Sequence, residues 1–171
     1  MKYQSIPFWS WNAELKPEQL VNQIRWMKDS GIGGFFMHAR SGLKTEYMSE
    51  EWMECIKACV EEAKRLGMDA WAYDENGWPS GFAGGKLLEE ESNRDQYILH
   101  TVGDYDPNAD ISYYMDGDKL VRVKSGDRAG EYLNLFIHVA ASTVDILNPE
   151  VVKQFIGLTH EKYKAYFGDN F

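Results

Sequence analysis

Along the first half of the chain, hydrophobic and polar positions follow two alternating periods. "SIPFWSWN" reads as a short strand, and "KPEQLVNQIRWMKDSG" then places Leu20, Val21, Ile24 and Met27 on one helical face. Pro17 suits the first turn of that helix, and Gly31 marks its stop. The pattern recurs at once. "IGGFFMHAR" is a continuously apolar strand; Ser49 then opens a helix with a face of Trp52, Ile56, Cys59, Val60, Ala63 and Leu66, closed by Gly67. "MDAWAYDE" is a third strand. Strands this apolar are buried on both faces, and their alternation with helices of this length predicts right-handed βαβ units and a parallel sheet.

Beyond Gly85 the period changes. From about Gln96 to Ser142 the residues alternate at period two, "ISYYMDGDKLVRVK" predicts a hairpin with Asp116-Gly117 at its tip, and "EYLNLFIHVA" predicts another strand. The helical period returns in "NPEVVKQFIGLTHEKYKAYFG". There Asn148 is the N-cap, Pro149 takes the first position, and the face is Val152, Phe155, Ile156, Thr159, Tyr163 and Tyr166, with Gly168 as stop. After each earlier glycine stop a strand follows, so a fourth strand is expected here and is missing. The pattern therefore predicts a piece of a larger α/β protein, organised as βα units over 1–90, an antiparallel β insertion over 91–143, and a helix over 144–171.

Composition narrows the function classes. A chain of 171 residues with 44% apolar and 26% charged positions is an ordinary globular one of about one domain. Its net charge of -9 argues against a nucleic-acid groove or an anionic membrane surface, both of which need concentrated positive potential. A neutral or cationic small ligand fits that charge better. The start "MKYQSIPFWSW" lacks an apolar signal segment, and no window approaches ~18 uninterrupted apolar residues, so the expected location is cytoplasmic. Cys55 and Cys59, four apart on one helix, are in poor geometry for a disulfide and read as buried free thiols. The 6 Trp and 10 Tyr exceed what a core needs and suit flat, amphipathic ligand surfaces.

The candidate chemistry falls at strand ends. Asn12 ends the first strand, His38 and Arg40 the second, and Asp74, Glu75 and Asn76 the third, which is the rim where parallel sheets build their sites. Trp9, Trp11, Tyr73 and Trp78 supply rings beside them. Aromatic faces stack on the C–H faces of sugars while acids, amides and a guanidinium bond the hydroxyls, so this set points to carbohydrate. Competing readings stand beside it. His38 also suits a satisfied core position, Arg40 an ion pair with Asp74 or Glu75, and Trp9 and Trp11 the core. Adjacent strand residues point to opposite faces, so Asp74 and Glu75 cannot both enter one pocket, and one of them is structural. Gly81, Gly84 and Gly85 lack the ordered spacing of a dinucleotide fingerprint. His100, His138 and His160 read as ordinary sheet and helix residues, and no close histidine pair suggests a metal.

"PFWSWN", "GIGGFFMHAR", "YMSEEW" and "AWAYDENGWPSGFAGG" together resemble the opening of the catalytic (β/α)8 barrel of glycoside hydrolase family 106, the α-L-rhamnosidases, and of uncharacterised relatives. "DILNPEVVKQFIGLTHEKYKAYFG" is similar to the helix before that barrel's fourth strand. The resemblance covers roughly Pro7 to Gly85 and Val144 to Gly168, and matches the insertion only loosely. It implies a partial (β/α)8 (TIM) barrel, about three βα units with an antiparallel β insertion after the third strand. It implies further an inverting glycosidase using a carboxylate pair, on which reading Glu75 and Asp74 are the candidate acids present here. Because the main pair belongs to later strands, those two, with Asn12, Trp11, His38, Arg40, Tyr73 and Asn76, would position the sugar, and Trp78 would form a wall.

The partner implied is a carbohydrate, and no cofactor is called for, although assistance by calcium is not readable from sequence. Rival readings are a non-catalytic carbohydrate-binding or scaffolding protein, and a metal-dependent barrel hydrolase using His38 with Asp74 or Glu75. A sheet of three strands with open edges, and faces carrying Phe35, Phe36, Met37 and Trp71, also predicts a homo-oligomer.

Overall fold

The computed structural model describes residues 3–168. They gather into two compact units, one made of the residues up to Glu89 together with those from Ile146 onward, the other Glu90–Asp145. In the first lie β1 (Phe8–Trp11), α1 (Pro17–Asp29), β2 (Gly34–Ala39), α2 (Glu50–Leu66), β3 (Asp69–Asn76), α3 (Pro149–Leu158) and α4 (His160–Phe167). β1, β2 and β3 pair side by side in that order and in parallel. The Gly34 position admits no side chain, because a Cβ there would lie 2.5 Å from the carbonyl oxygen of Asp69 on β3.

Both long helices are bounded as their sequences dictate. Pro17 occupies the start of α1; the Ser49 hydroxyl caps α2 by accepting the Trp52 N–H, and Gly67 ends it in the left-handed conformation at φ 61°. Their apolar stripes cover one face of the sheet. Leu20 and Ile24 of α1, and Trp52, Met53, Ile56, Cys59 and Ala63 of α2, pack there with Trp11, Phe35, Met37 and Ala39. Glu62 on α2 is buried among them and is held by Arg25 of α1 (Nε to Oε1, 2.7 Å) and by a fork from Arg65 (2.8 and 2.6 Å). These charge-assisted bonds hold its carboxyl down to about 2.

Strand parity corrects one expectation. Phe35 and Met37 lie under the helices, not on an open face, while Phe36 is half-buried and Trp71 is 50% exposed on the side that no helix covers. The reason is the period of two, which sends neighbouring side chains to opposite faces. The last helix also departs from expectation, because it breaks at Thr159 (φ −120°, ψ −80°) into α3 and α4. The Thr159 hydroxyl donates back to the Phe155 carbonyl at 2.7 Å, a bond that competes with the helix ladder. Val151, Thr159 and Tyr163 are buried as a result, and Ile156 and Tyr166 are about 40% exposed (40% and 41%).

The second unit holds β4 (Arg94–Gly103), β5 (Ile111–Asp116), β6 (Lys119–Val123) and β7 (Tyr132–Val144). They form an antiparallel sheet in the order β4-β7-β5-β6. Asp116 pairs with Lys119, so the hairpin tip is Gly117-Asp118, one residue later than expected. Among the described residues no helix is long and apolar enough to cross a membrane.

Candidate functional site

On the helix-free side of the parallel sheet, parity brings Phe8, Phe36, His38, Trp71 and Tyr73 together. Phe8 stacks on Phe36 (centroids 5.0 Å apart), Phe36 on Trp71 (5.8 Å), and Tyr73 meets the His38 ring at 4.2 Å. The platform ends toward the carboxyl ends of the strands, where Trp78 stands edge-on to His38 at 6.3 Å and lies 5.9 Å from Tyr73. Trp78 itself is 65% exposed and Phe8 54%. His38, by contrast, is 3% exposed, and its Nε2 has no hydrogen-bond partner. Burial, and then the Arg40 charge, lower its pKa below the ordinary 6.5, so the ring is neutral at neutral pH. A buried, unpaired imidazole nitrogen is a costly arrangement that a bound hydroxyl or N–H group would relieve.

Arg40 follows directly. Its backbone N–H bonds the Trp11 carbonyl at 3.0 Å, and no carboxylate of the described residues pairs with its guanidinium. The ion-pair reading with Asp74 or Glu75 is therefore not realised. Two more bonds tie the same loops together, Lys44 N–H to the Ala13 carbonyl (3.1 Å) and Leu15 N–H to Thr45 Oγ1 (2.9 Å). Asn12, exposed just past β1, lies within this stitched pair of loops.

The two adjacent acids separate. Glu75 is fully buried, and its carboxylate accepts five backbone N–H groups: Asn76 (2.8 Å) and Gly84 on Oε1, and Gly81 (3.1 Å), Phe82 (3.0 Å) and Ala83 (2.8 Å) on Oε2. The glycine-rich segment after β3 thus folds back as a nest of N–H groups around its own strand's carboxylate. Ala83 is held there at φ 52°, a conformation unusual for a residue with a Cβ. Gly84, at φ 67°, is required for a second reason: a Cβ would come within 3.0 Å of the Tyr47 ring. Asp74 is half-buried and accepts the Ser80 hydroxyl at 2.9 Å. Asn76 is half-buried at the end of β3.

Trp11 belongs to the helix side. It is 2% exposed, its ring meets Trp52 at 5.1 Å and Trp9 at 5.4 Å, and its Nε1 is unpaired. Trp9 packs on Phe35 at 5.3 Å and donates to Gln23 Oε1 at 3.1 Å. Tyr47 lies outside the groups that the sequence marks, yet its hydroxyl is buried without a partner, its ring lies 5.0 Å from Trp52, and burial pushes its pKa up. No periodic signal marks Tyr47, which sits in the loop before α2. A groove of about 520 Å3 runs along β3, lined among others by Met37, Ile56, Lys64, Asp69, Trp71 and Tyr163. None of the rim's polar groups lines that groove.

In the second unit His138 stacks on Tyr97 (5.4 Å) within the sheet, and in the first His160 meets Thr159 Oγ1 through Nδ1 at 2.9 Å. Among the described residues no three His, Cys, Asp or Glu side chains gather as a metal site would require.

No family model matches the chain, and no curated protein does. Among solved structures it is similar to the rhamnosidase from Novosphingobium sp. PP1Y, with a TM-score of 0.46 and 20% identity over 65% of this chain. The chain spans about a tenth of that protein, 10% of its length.

Proposed function

We propose that the parallel sheet is part of a (β/α)8 barrel of a glycoside hydrolase resembling family 106, and that it supplies the sugar-binding rim. One observation carries this reading: the buried, unpaired Nε2 of His38, near the carboxyl end of β2 and walled by Tyr73, Phe8 and the exposed Trp78. A sugar satisfies such a site from both sides, its C–H face on the rings and a hydroxyl on the imidazole. The barrel reading draws support from the half-exposed Phe8 and Trp71, since the helix-free face of barrel strands is an interior that facing strands fill.

A second reading, carbohydrate binding without hydrolysis, is favoured by the state of the acids. Glycosidases place two carboxylates across the scissile bond, whereas Glu75 is occupied by five N–H donors and Asp74 accepts the Ser80 hydroxyl. The chain by itself is accordingly expected to bind sugar and not to cleave aryl α-L-rhamnosides.

Amide NMR titration of the chain with a panel of hexoses and deoxyhexoses at millimolar concentration tests the site. Shifts confined to residues near His38, Tyr73 and Trp78, and weakened at least several-fold by Trp78→Ala, are expected. Absence of any saturable shift with every sugar would remove the reading.

A further inference from the structure

Resting on that carbohydrate reading, we propose that the sugar this rim prefers carries a carboxylate, a uronic acid residue, with Arg40 as the group that receives it. Around this rim some charges are met within the protein and one is not. Glu75 is satisfied by backbone N–H groups, Asp74 takes the Ser80 hydroxyl, and Glu46 in the loop before α2 pairs with Lys86 at 3.2 Å. Arg40 has no such partner among the described residues, although it is half-buried and directly follows β2.

A half-buried guanidinium without a counter-charge leaves five planar N–H donors for a ligand, and their fork matches a carboxylate better than any other sugar group. Arg40 directly follows the last residue of β2, two residues after His38, whose Nε2 is unpaired and whose ring feels the Arg40 charge. A pyranose stacked beside Tyr73 and Trp78 can then present a ring hydroxyl to His38 and its exocyclic carboxylate to Arg40. The overall charge of -9 by itself favours a neutral or cationic ligand, and the contact with Arg40 has to outweigh it. Surface charges beyond about 8 Å are screened at physiological salt, while a contact pair is not.

The test is calorimetry on the full chain with D-galacturonate and D-glucuronate, the matching neutral hexoses, and acetate. The uronates are expected to bind roughly 10-fold or more tightly than their neutral counterparts, as a charge-assisted bond implies. Arg40→Gln should abolish that preference, bringing the uronates to the affinity of their neutral counterparts in the same variant, and Arg40→Lys should keep part of it. Acetate should bind more weakly than either uronate, since it lacks the stacking ring. Equal affinity for acidic and neutral sugars, or a uronate preference that survives Arg40→Gln, overturns the proposal and leaves the carbohydrate reading standing. Failure of every sugar overturns both, and tight acetate binding without sugar binding overturns them in favour of a simple anion site.

Discussion

Replacing Glu75 by Gln keeps the size of the side chain and removes its capacity to accept on both oxygens. Each carboxylate oxygen takes at least two backbone N–H groups, Asn76 and Gly84 on one, Gly81, Phe82 and Ala83 on the other. Glutamine must place its NH2 against one of these sets, leaving two or three donors facing another donor. An unmet N–H costs about 1–3 kcal/mol when buried and less when water can reach it. Ala83 is buried and Gly81 and Phe82 half-buried, so the more favourable orientation turns the carbonyl toward those three. The expected loss is then roughly 2–5 kcal/mol, a large part of the ~5–15 kcal/mol that stabilises a typical domain. The assay is urea unfolding followed by tryptophan fluorescence, which reports the first unit alone because all 6 tryptophans precede Glu89. Hydrogen exchange at Gly81, Phe82, Ala83 and Gly84 should rise in the variant before global unfolding. A midpoint shift worth less than ~1 kcal/mol, with those amides still protected, would refute the nest as the element that orders the loop and holds Trp78.

Two further outcomes follow from buried titratable groups. Glu62, held down to about 2 by Arg65 and Arg25, contributes stability that is present above its unfolded value near 4.5 and is lost as pH falls toward about 2. Because both arginines are half-exposed or more (51% and 59%), that contribution is about 1 kcal/mol, and Glu62→Gln should flatten the acid limb of a stability–pH curve. Burial pushes the Cys55 thiol up to about 11 and raises Cys59 as well, so neither should react with a disulfide reagent at neutral pH until denaturant is added; rapid labelling of the native chain would contradict the packing of α2.

Much of the first unit was legible because its signals are local. The helix caps at Ser49 and Gly67, the proline at the head of α1 and the apolar runs of β2 and β3 each act over a few residues, so periodicity finds them. Strand ends were legible for the same reason, and with them His38, Arg40, Tyr73 and Trp78 as rim residues. Other features depended on partners distant in sequence. Glu75 looks like a candidate acid until residues 81–84 fold back onto it. Tyr47 acquires meaning only when Gly84 and Trp52 close around it, and Arg40 only when no described carboxylate proves to pair with it. The place of β7 between β4 and β5 was equally out of reach, since alternation marks a strand but not its neighbour. Local patterning thus determined the elements and the rim on which polar groups emerge. Tertiary structure decided which of those groups satisfy one another and which, like the His38 imidazole, are left with an unmet bond for a ligand, because hydrogen bonds and ion pairs are made between surfaces that meet only in the folded chain.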